Sequence, residues 1–142
     1  MNKSGQARGL LTGAVVILAI AVVVAGIALL KGSSAVALPP TVSAQQDYSM
    51  VLKGAFVLDV RTQAEWDEFH LQGATLIPLD QLPQRLDEDS RDRDILVVCR
   101  TGGRSQSGRE LLIENGYTRV TSLGGGLTAW NAMNYPIEGK RP

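Results

Sequence analysis

The sequence predicts an α/β domain, a central parallel sheet flanked by helices, preceded by one N-terminal transmembrane helix. Three observations carry this. From residue 41 onward, short apolar runs alternate with helical stretches, the pattern of a sheet covered on both faces. Ile95-Leu96-Val97-Val98 is continuously apolar and mostly β-branched, as a central parallel strand should be. Leu10 to Leu30 is a run of 21 residues with no charge and no proline. As a helix it would be about 31 Å long, against a hydrocarbon core of roughly 30 Å.

The elements follow in order. Residues 1–9 form a short basic N-terminus and residues 10–30 a signal anchor. Lys3 and Arg8 precede the apolar run and Lys31 follows it, with no acid before Asp47. That asymmetry places the N-terminus in the cytoplasm and the domain outside it. The alternative is a cleaved signal peptide. Ala35-Val36-Ala37 has the small-x-small form of a cleavage site, and cleavage after Ala37 would leave a secreted or periplasmic domain. Against it, the run exceeds the usual apolar core of about 7–15 residues. Residues 31–41, with Pro39-Pro40, read as a linker, and the domain spans 42–142.

Ser43 to Leu52 reads as a helix with Ser43 as N-cap. Phe56-Val57-Leu58 is a strand ending at Asp59, and Thr62-Gln63-Ala64-Glu65 is a capping box opening a short helix. Ala74 to Ile77 is a strand stopped by Pro78. Asp80 to Leu86 reads as a short helix and Asp87 to Asp94 as a solvated loop. Ser105 to Glu114 is a helix ended by Asn115-Gly116, Arg119 to Ser122 a strand, and Gly126 to Met133 a last helix.

Composition narrows the function. The chain has 142 residues, one Cys and one His, which excludes an internal disulfide framework, a Cys-rich zinc site and any site needing two His ligands. From Pro39 onward there are 11 basic and 14 acidic residues, and aromatics are 5% of the chain, so nothing points to nucleic acid.

The chemistry concentrates in one loop. The strand Ile95–Val98 runs into Cys99-Arg100-Thr101-Gly102-Gly103-Arg104-Ser105, and a helix follows. In open α/β sheets, sites form beyond the carboxyl ends of strands. Gly102 and Gly103 let the backbone curl so that N–H groups point inward as a nest. The helix N-terminus and the cations Arg100 and Arg104 add positive potential. Each favours a thiolate over a thiol at Cys99 and would hold an anion above the sulfur. A nucleotide phosphate loop does not fit, because the Lys-Ser/Thr ending is absent.

Residues 42–138 resemble a single-domain rhodanese, of the sulfurtransferase family. The resemblance rests on four segments in order. These are Leu58-Asp59-Val60-Arg61 with Glu65 and Trp66, then His70-Leu71-Gln72-Gly73-Ala74 leading to Ile77-Pro78. Next come Val97 to Ser105, and finally Leu123-Gly124-Gly125-Gly126 with Ala129-Trp130. It implies a rhodanese-like fold in which Cys99 accepts a sulfur atom and becomes a persulfide, cradled by the loop from Arg100 to Arg104. It implies a small sulfur-containing anion such as thiosulfate as donor, a thiol or cyanide as acceptor, and no metal or organic cofactor. The loop is Cys-x4-Arg, whereas phosphatases of related fold use a longer Cys-x5-Arg loop, so the spacing favours sulfur transfer over phosphatase or arsenate reductase chemistry. The alternative within sulfur chemistry is a membrane-tethered persulfide carrier or sensor with little turnover.

The neighbours of the loop carry lesser expectations. Asp59 and Glu65 read as structural, and Arg61 as either structural or part of the site rim, with Arg61 able to pair with Glu65. Arg104 is expected to bond inward and brace the loop, and Arg100 to face solvent and incoming anions. Ser105 and Ser107 let the helix approach the loop, with Ser105 a candidate cap. His70 reads as structural, and Phe69 stands where the family commonly has Gly, so the chain there must avoid positive φ. Trp130 reads as packing.

Overall fold

The structure, a computed structural model, describes residues 37–86 and 91–141. The membrane-spanning expectation for residues 10–30 lies outside them, as do Ala35 and Val36 of the expected cleavage site. Among the described residues no helix is long and apolar enough to cross a membrane.

Five parallel strands form the sheet, in the order β1-β6-β5-β2-β4. They are β1 (Thr41–Val42), β2 (Phe56–Asp59), β4 (Thr75–Leu76), β5 (Ile95–Val98) and β6 (Val120–Leu123). β5 is central, pairing with β2 through Phe56↔Ile95 to Asp59↔Val98 and with β6 through Ile95↔Val120 to Val97↔Ser122. All four of its residues are buried, as the continuous apolar run requires.

Alternate strand residues feed two cores. On one face Val57, Leu96, Val98 and Leu123 pack with α1 (Ala44–Leu52) and α4 (Gly126–Ala132), whose Leu127 and Trp130 are buried. On the other face Leu58, Val60, Ile95, Val97 and Cys99 pack with Leu112 of α3 (Gly103–Glu114) and with Leu82 and Tyr117. The predicted capping box forms, Thr62 with Glu65 opening α2 (Gln63–Glu68), and the predicted N-cap Ser43 proves to be part of a second box with Gln46 that opens α1. Trp130 is a packing residue, 1% exposed, its indole N–H donating to the Pro136 carbonyl at 3.0 Å.

Several expectations need correction. Asp80–Leu86 is no α-helix; only a 3₁₀ turn, Leu82–Gln84, forms. Leu82 is its one buried residue, too little apolar face to support further turns. The strand expected over Ala74–Ile77 pairs only at Thr75–Leu76, ending one residue before Ile77-Pro78. Helix α3 starts at Gly103, two residues before Ser105, because Gly102 takes the cap position with φ +105°. Thr41, assigned to the linker, belongs to β1, and the Pro40 carbonyl accepts the Ser122 N–H at 3.1 Å.

A second, two-stranded ribbon was not anticipated. β3 (Phe69–His70) pairs antiparallel with β7 (Glu138–Gly139). Phe69 is extended, with φ −168°, so the missing glycine costs nothing there. The glycine sits opposite instead. A Cβ on Gly139 would lie 2.5 Å from the Glu68 carbonyl oxygen and 2.8 Å from Phe69 Cα.

Candidate active site

Cys99 follows β5 directly, on the side of the sheet where β2 also ends. The residue is 1% exposed. Its Sγ accepts the backbone N–H of Gly102 at 3.1 Å and of Ser105 at 3.3 Å. The Sγ–H donates to Ser105 Oγ at 3.5 Å, and that hydroxyl donates to the Gly102 carbonyl at 2.8 Å. Gly102, at φ +105°, provides the left-handed step that lets two N–H groups converge on one sulfur. The nest expected from Gly102 and Gly103 is therefore built from Gly102 and Ser105. Ser105 does not cap α3; its hydroxyl donates to the cap carbonyl rather than accepting a helix N–H.

Ser107 is exposed, and close approach of α3 to the sheet comes from the buried Gly108. A Cβ at Gly108 would meet Val60 Cγ1 and Val97 Cγ1 at 3.3 Å each. This packing glycine was invisible to motif reading.

The arginines separate. Arg100 and Thr101 are exposed, as expected for Arg100. Arg104 is fixed, but it does not bond inward. Its guanidinium reaches across to α2, with Nη1 and Nη2 each donating to a Glu65 carboxylate oxygen at 2.7 Å. Hydrogen bonding from Arg104 is the main reason the Glu65 carboxyl is lowered to about 2. The same carboxylate accepts the Thr62 N–H at 3.1 Å, so one side chain caps α2 and clamps the loop.

Arg61 is held in a buried bonding network. It is 1% exposed, and its Nε and Nη2 fork onto the Asp59 carboxylate at 2.7–3.0 Å. It also donates to the Glu65 and Phe69 carbonyls at 3.1 and 2.7 Å. The pairing expected with Glu65 runs through its backbone, not its carboxylate. Asp59 is wholly buried and also accepts the Arg61 N–H at 3.0 Å. The two form a buried ion pair in which every charged side-chain atom has a partner. His70 stacks on Trp66 at 3.8 Å and bonds Glu138 at 3.2 Å and the Trp66 carbonyl at 3.0 Å, a structural role on the ribbon.

The last contact is on the outer side of the loop. The Leu127 N–H donates to the Cys99 carbonyl at 2.8 Å, and the Thr128 N–H donates to the Arg100 carbonyl at 3.0 Å. Gly126, at φ +59°, permits this. A Cβ there would lie 2.5 Å from the Cys99 oxygen and the Arg100 carbonyl carbon.

A cysteine at a central strand end, a glycine-bent loop donating N–H groups to its sulfur, and a glycine-started helix against that loop are joined by a sequence match. The Rhodanese-like domain family profile matches residues 43–133. The chain belongs to the rhodanese-like domain family. A sulfurtransferase of Allochromatium vinosum is 37% identical over 81 residues, covering 57% of this chain and 76% of its own. Thiosulfate sulfurtransferase GlpE of Vibrio cholerae is 30% identical over 89 residues, covering 63% and 84%. Among solved structures, the rhodanese-like domain of an Anabaena protein superposes with a TM-score of 0.64 at 30% identity, over 72% of this chain and 80% of that one.

Proposed function

We propose that the chain is a sulfurtransferase that moves a sulfane sulfur through a persulfide on Cys99. The observation that carries the reading is the convergence of the Gly102 and Ser105 N–H groups on Sγ, at 3.1 and 3.3 Å. Such donors stabilise negative sulfur without a metal or a side-chain base. The sulfurtransferase relatives support the same chemistry.

With thiosulfate as donor, the Cys99 thiolate attacks the outer sulfur. A new S–S bond forms at Cys99, the S–S bond of thiosulfate breaks, and sulfite leaves with the electron pair. The persulfide left on Cys99 keeps the negative charge inside the nest. A cyanide ion or an external thiolate then attacks the outer sulfur, leaving as thiocyanate or a new persulfide and returning the Cys99 thiolate. Cys99 is the chain's single cysteine, so the sulfur goes to an external acceptor. Arg104 is engaged with Glu65, which leaves exposed Arg100 as the loop cation that meets the incoming anion. A phosphatase reading is disfavoured for the same reason, since Arg104 is not free to clamp a phosphate.

The apolar run Leu10–Leu30 and the charge asymmetry around it support a second part of the proposal. Residues 10–30 tether the domain to a membrane, with residues 42–142 outside the cytoplasm.

The test is intact mass of the full-length chain after incubation with thiosulfate, with Cys99→Ser alongside, followed by cyanide. A gain of one sulfur in the parent alone, lost on cyanide with thiocyanate released over many cycles, is the expected result. Loading without turnover would reassign the chain as a persulfide carrier. No loading from any sulfane donor would overturn sulfur transfer. Protease protection in sealed membranes of the expressing cell tests the tether and its orientation.

A further inference from the structure

Thr128 lies in the first turn of α4, outside the loop and outside every motif that pointed to it. It makes two bonds to one atom. Its N–H and its Oγ1 donate to the Arg100 carbonyl at 3.0 and 2.9 Å. The neighbouring Leu127 N–H holds the Cys99 carbonyl at 2.8 Å. Both loop carbonyls are thereby turned toward α4. In a trans peptide the C=O and the following N–H point in opposite directions, and the described peptides are all trans. Fixing the Cys99 and Arg100 carbonyls against α4 therefore turns the Arg100 and Thr101 N–H groups away from it.

We infer that Thr128 is a positioning residue for sulfur transfer: its hydroxyl locks the Arg100–Thr101 peptide so that the Thr101 N–H joins those of Gly102 and Ser105 in facing the bound anion. The inference rests on the sulfur-transfer reading of Cys99 and adds to it a residue on a different element. Three features make the lock specific. The Arg100 carbonyl is the only loop carbonyl given two donors by one side chain and its own backbone among the described bonds. Helix starts carry N–H groups without intrahelical partners, and here the catalytic loop supplies their acceptors. The approach also requires glycine at 126, whose Cβ would collide with the same two carbonyl groups. A hydroxyl two residues later completes the seam. Without it the peptide keeps one bond instead of two and rocks, so the Thr101 dipole no longer meets the negative sulfur in a fixed direction.

The experiment compares the full-length parent chain with Thr128→Val, which keeps the shape and the N–H bond, and Thr128→Ser, which keeps the hydroxyl. Thr128 is exposed, so neither change disturbs the core. Initial sulfur loading from limiting thiosulfate, followed by intact mass, is expected to fall about 3- to 10-fold in Thr128→Val, the worth of one hydrogen bond, and to return in Thr128→Ser. The denaturation midpoint stays at the parental value in Thr128→Ser and falls in Thr128→Val by no more than one exposed hydrogen bond accounts for. In parallel, the backbone amide resonance of Thr101 shifts and exchanges faster with solvent in Thr128→Val only. That spectroscopic arm does not depend on turnover. If the parent fails to load sulfur, the functional reading falls while the amide comparison still decides the lock. A Thr101 amide unchanged in Thr128→Val, loading at the parental rate in that variant, or failure of Thr128→Ser to restore either would overturn the inference.

Discussion

Glu65→Gln separates the clamp on the catalytic loop from the cap on α2. Gln at this position can still accept the Thr62 N–H through its carbonyl oxygen, so the capping box survives. What disappears is the charged fork from Arg104, two bonds of 2.7 Å. The Glu65 carboxyl is lowered from 4.5 to about 2, chiefly by Arg104. Taken at face value this difference is about 3.4 kcal/mol, at 1.36 kcal/mol for each tenfold step. Arg104 is 37% exposed and Glu65 17%, so solvent screens the pair and the expected loss is about 1–2 kcal/mol.

The pH dependence fixes the cause. A carboxyl lowered by folding stabilises the native state fully above about 4.5 and loses that contribution as pH falls through about 2. Urea denaturation at pH 7 should therefore place the variant about 1–2 kcal/mol below the parent with unchanged m. The gap should narrow steadily as the pH is taken from 4.5 toward 2. Sulfur loading at pH 7 should slow as well, because the first turn of α3, which carries Ser105, loses its tie to α2. A variant as stable as the parent at pH 7 would refute this account, as would a gap that does not change between pH 5 and pH 3.

Asp47 gives the opposite sign. It is wholly buried in α1, both carboxylate oxygens lack a hydrogen-bond partner, and burial raises its carboxyl to about 8. Stability is then fullest below 3.8 and declines as pH rises through about 8, so Asp47→Asn should stabilise by about 1–3 kcal/mol at pH 8 and by nearly nothing at pH 3.5, read by urea denaturation. Arg100→Ala should raise the thiosulfate concentration needed for half-maximal loading several-fold while leaving the thermal midpoint unmoved, because the side chain is exposed. Gly126→Ala should lower stability by about 2 kcal/mol or more and abolish loading, since its Cβ would sit 2.5 Å from the Cys99 carbonyl oxygen; parental melting and loading would show that α4 can back away from the loop.

The legible parts of the fold were those with local signals. The β5 run, the Ser43 cap, the Thr62–Glu65 capping box and the glycine stop after α3 are each written within a few consecutive residues. β1, β3 and β7 are two residues long, too short for alternation to register, and they exist only because a distant strand supplies their partner. The site divides in the same way. Cys99 and its glycines stand in one contiguous loop. The partner of Arg104 is 39 residues away, and nothing local tells a Glu65 carboxylate to choose Arg104 over Arg61 four residues before it. Arg61 is taken first by Asp59, two residues away and wholly buried, which frees the Glu65 side chain to reach the loop. Thr128 was not legible at all, because its role depends on how closely α4 seats against the loop.

The loop is therefore held from outside and acts through its backbone. Arg104 ties its trailing end to α2, Leu127 and Thr128 tie its leading end to α4, and Gly108 seats α3 on the sheet behind it. Among the described residues, the hydrogen-bond neighbours of the sulfur are two N–H groups and one hydroxyl. Backbone donors persist through side-chain substitutions other than proline, and the exposed side chains of Arg100 and Thr101 can be changed without loosening any of these ties. On the proposed reading, sulfur chemistry and donor choice fall to separable parts of the same loop. Substitutions at 100 and 101 should redistribute rates among anionic donors, whereas Glu65→Gln, Gly126→Ala and Thr128→Val should depress all of them together.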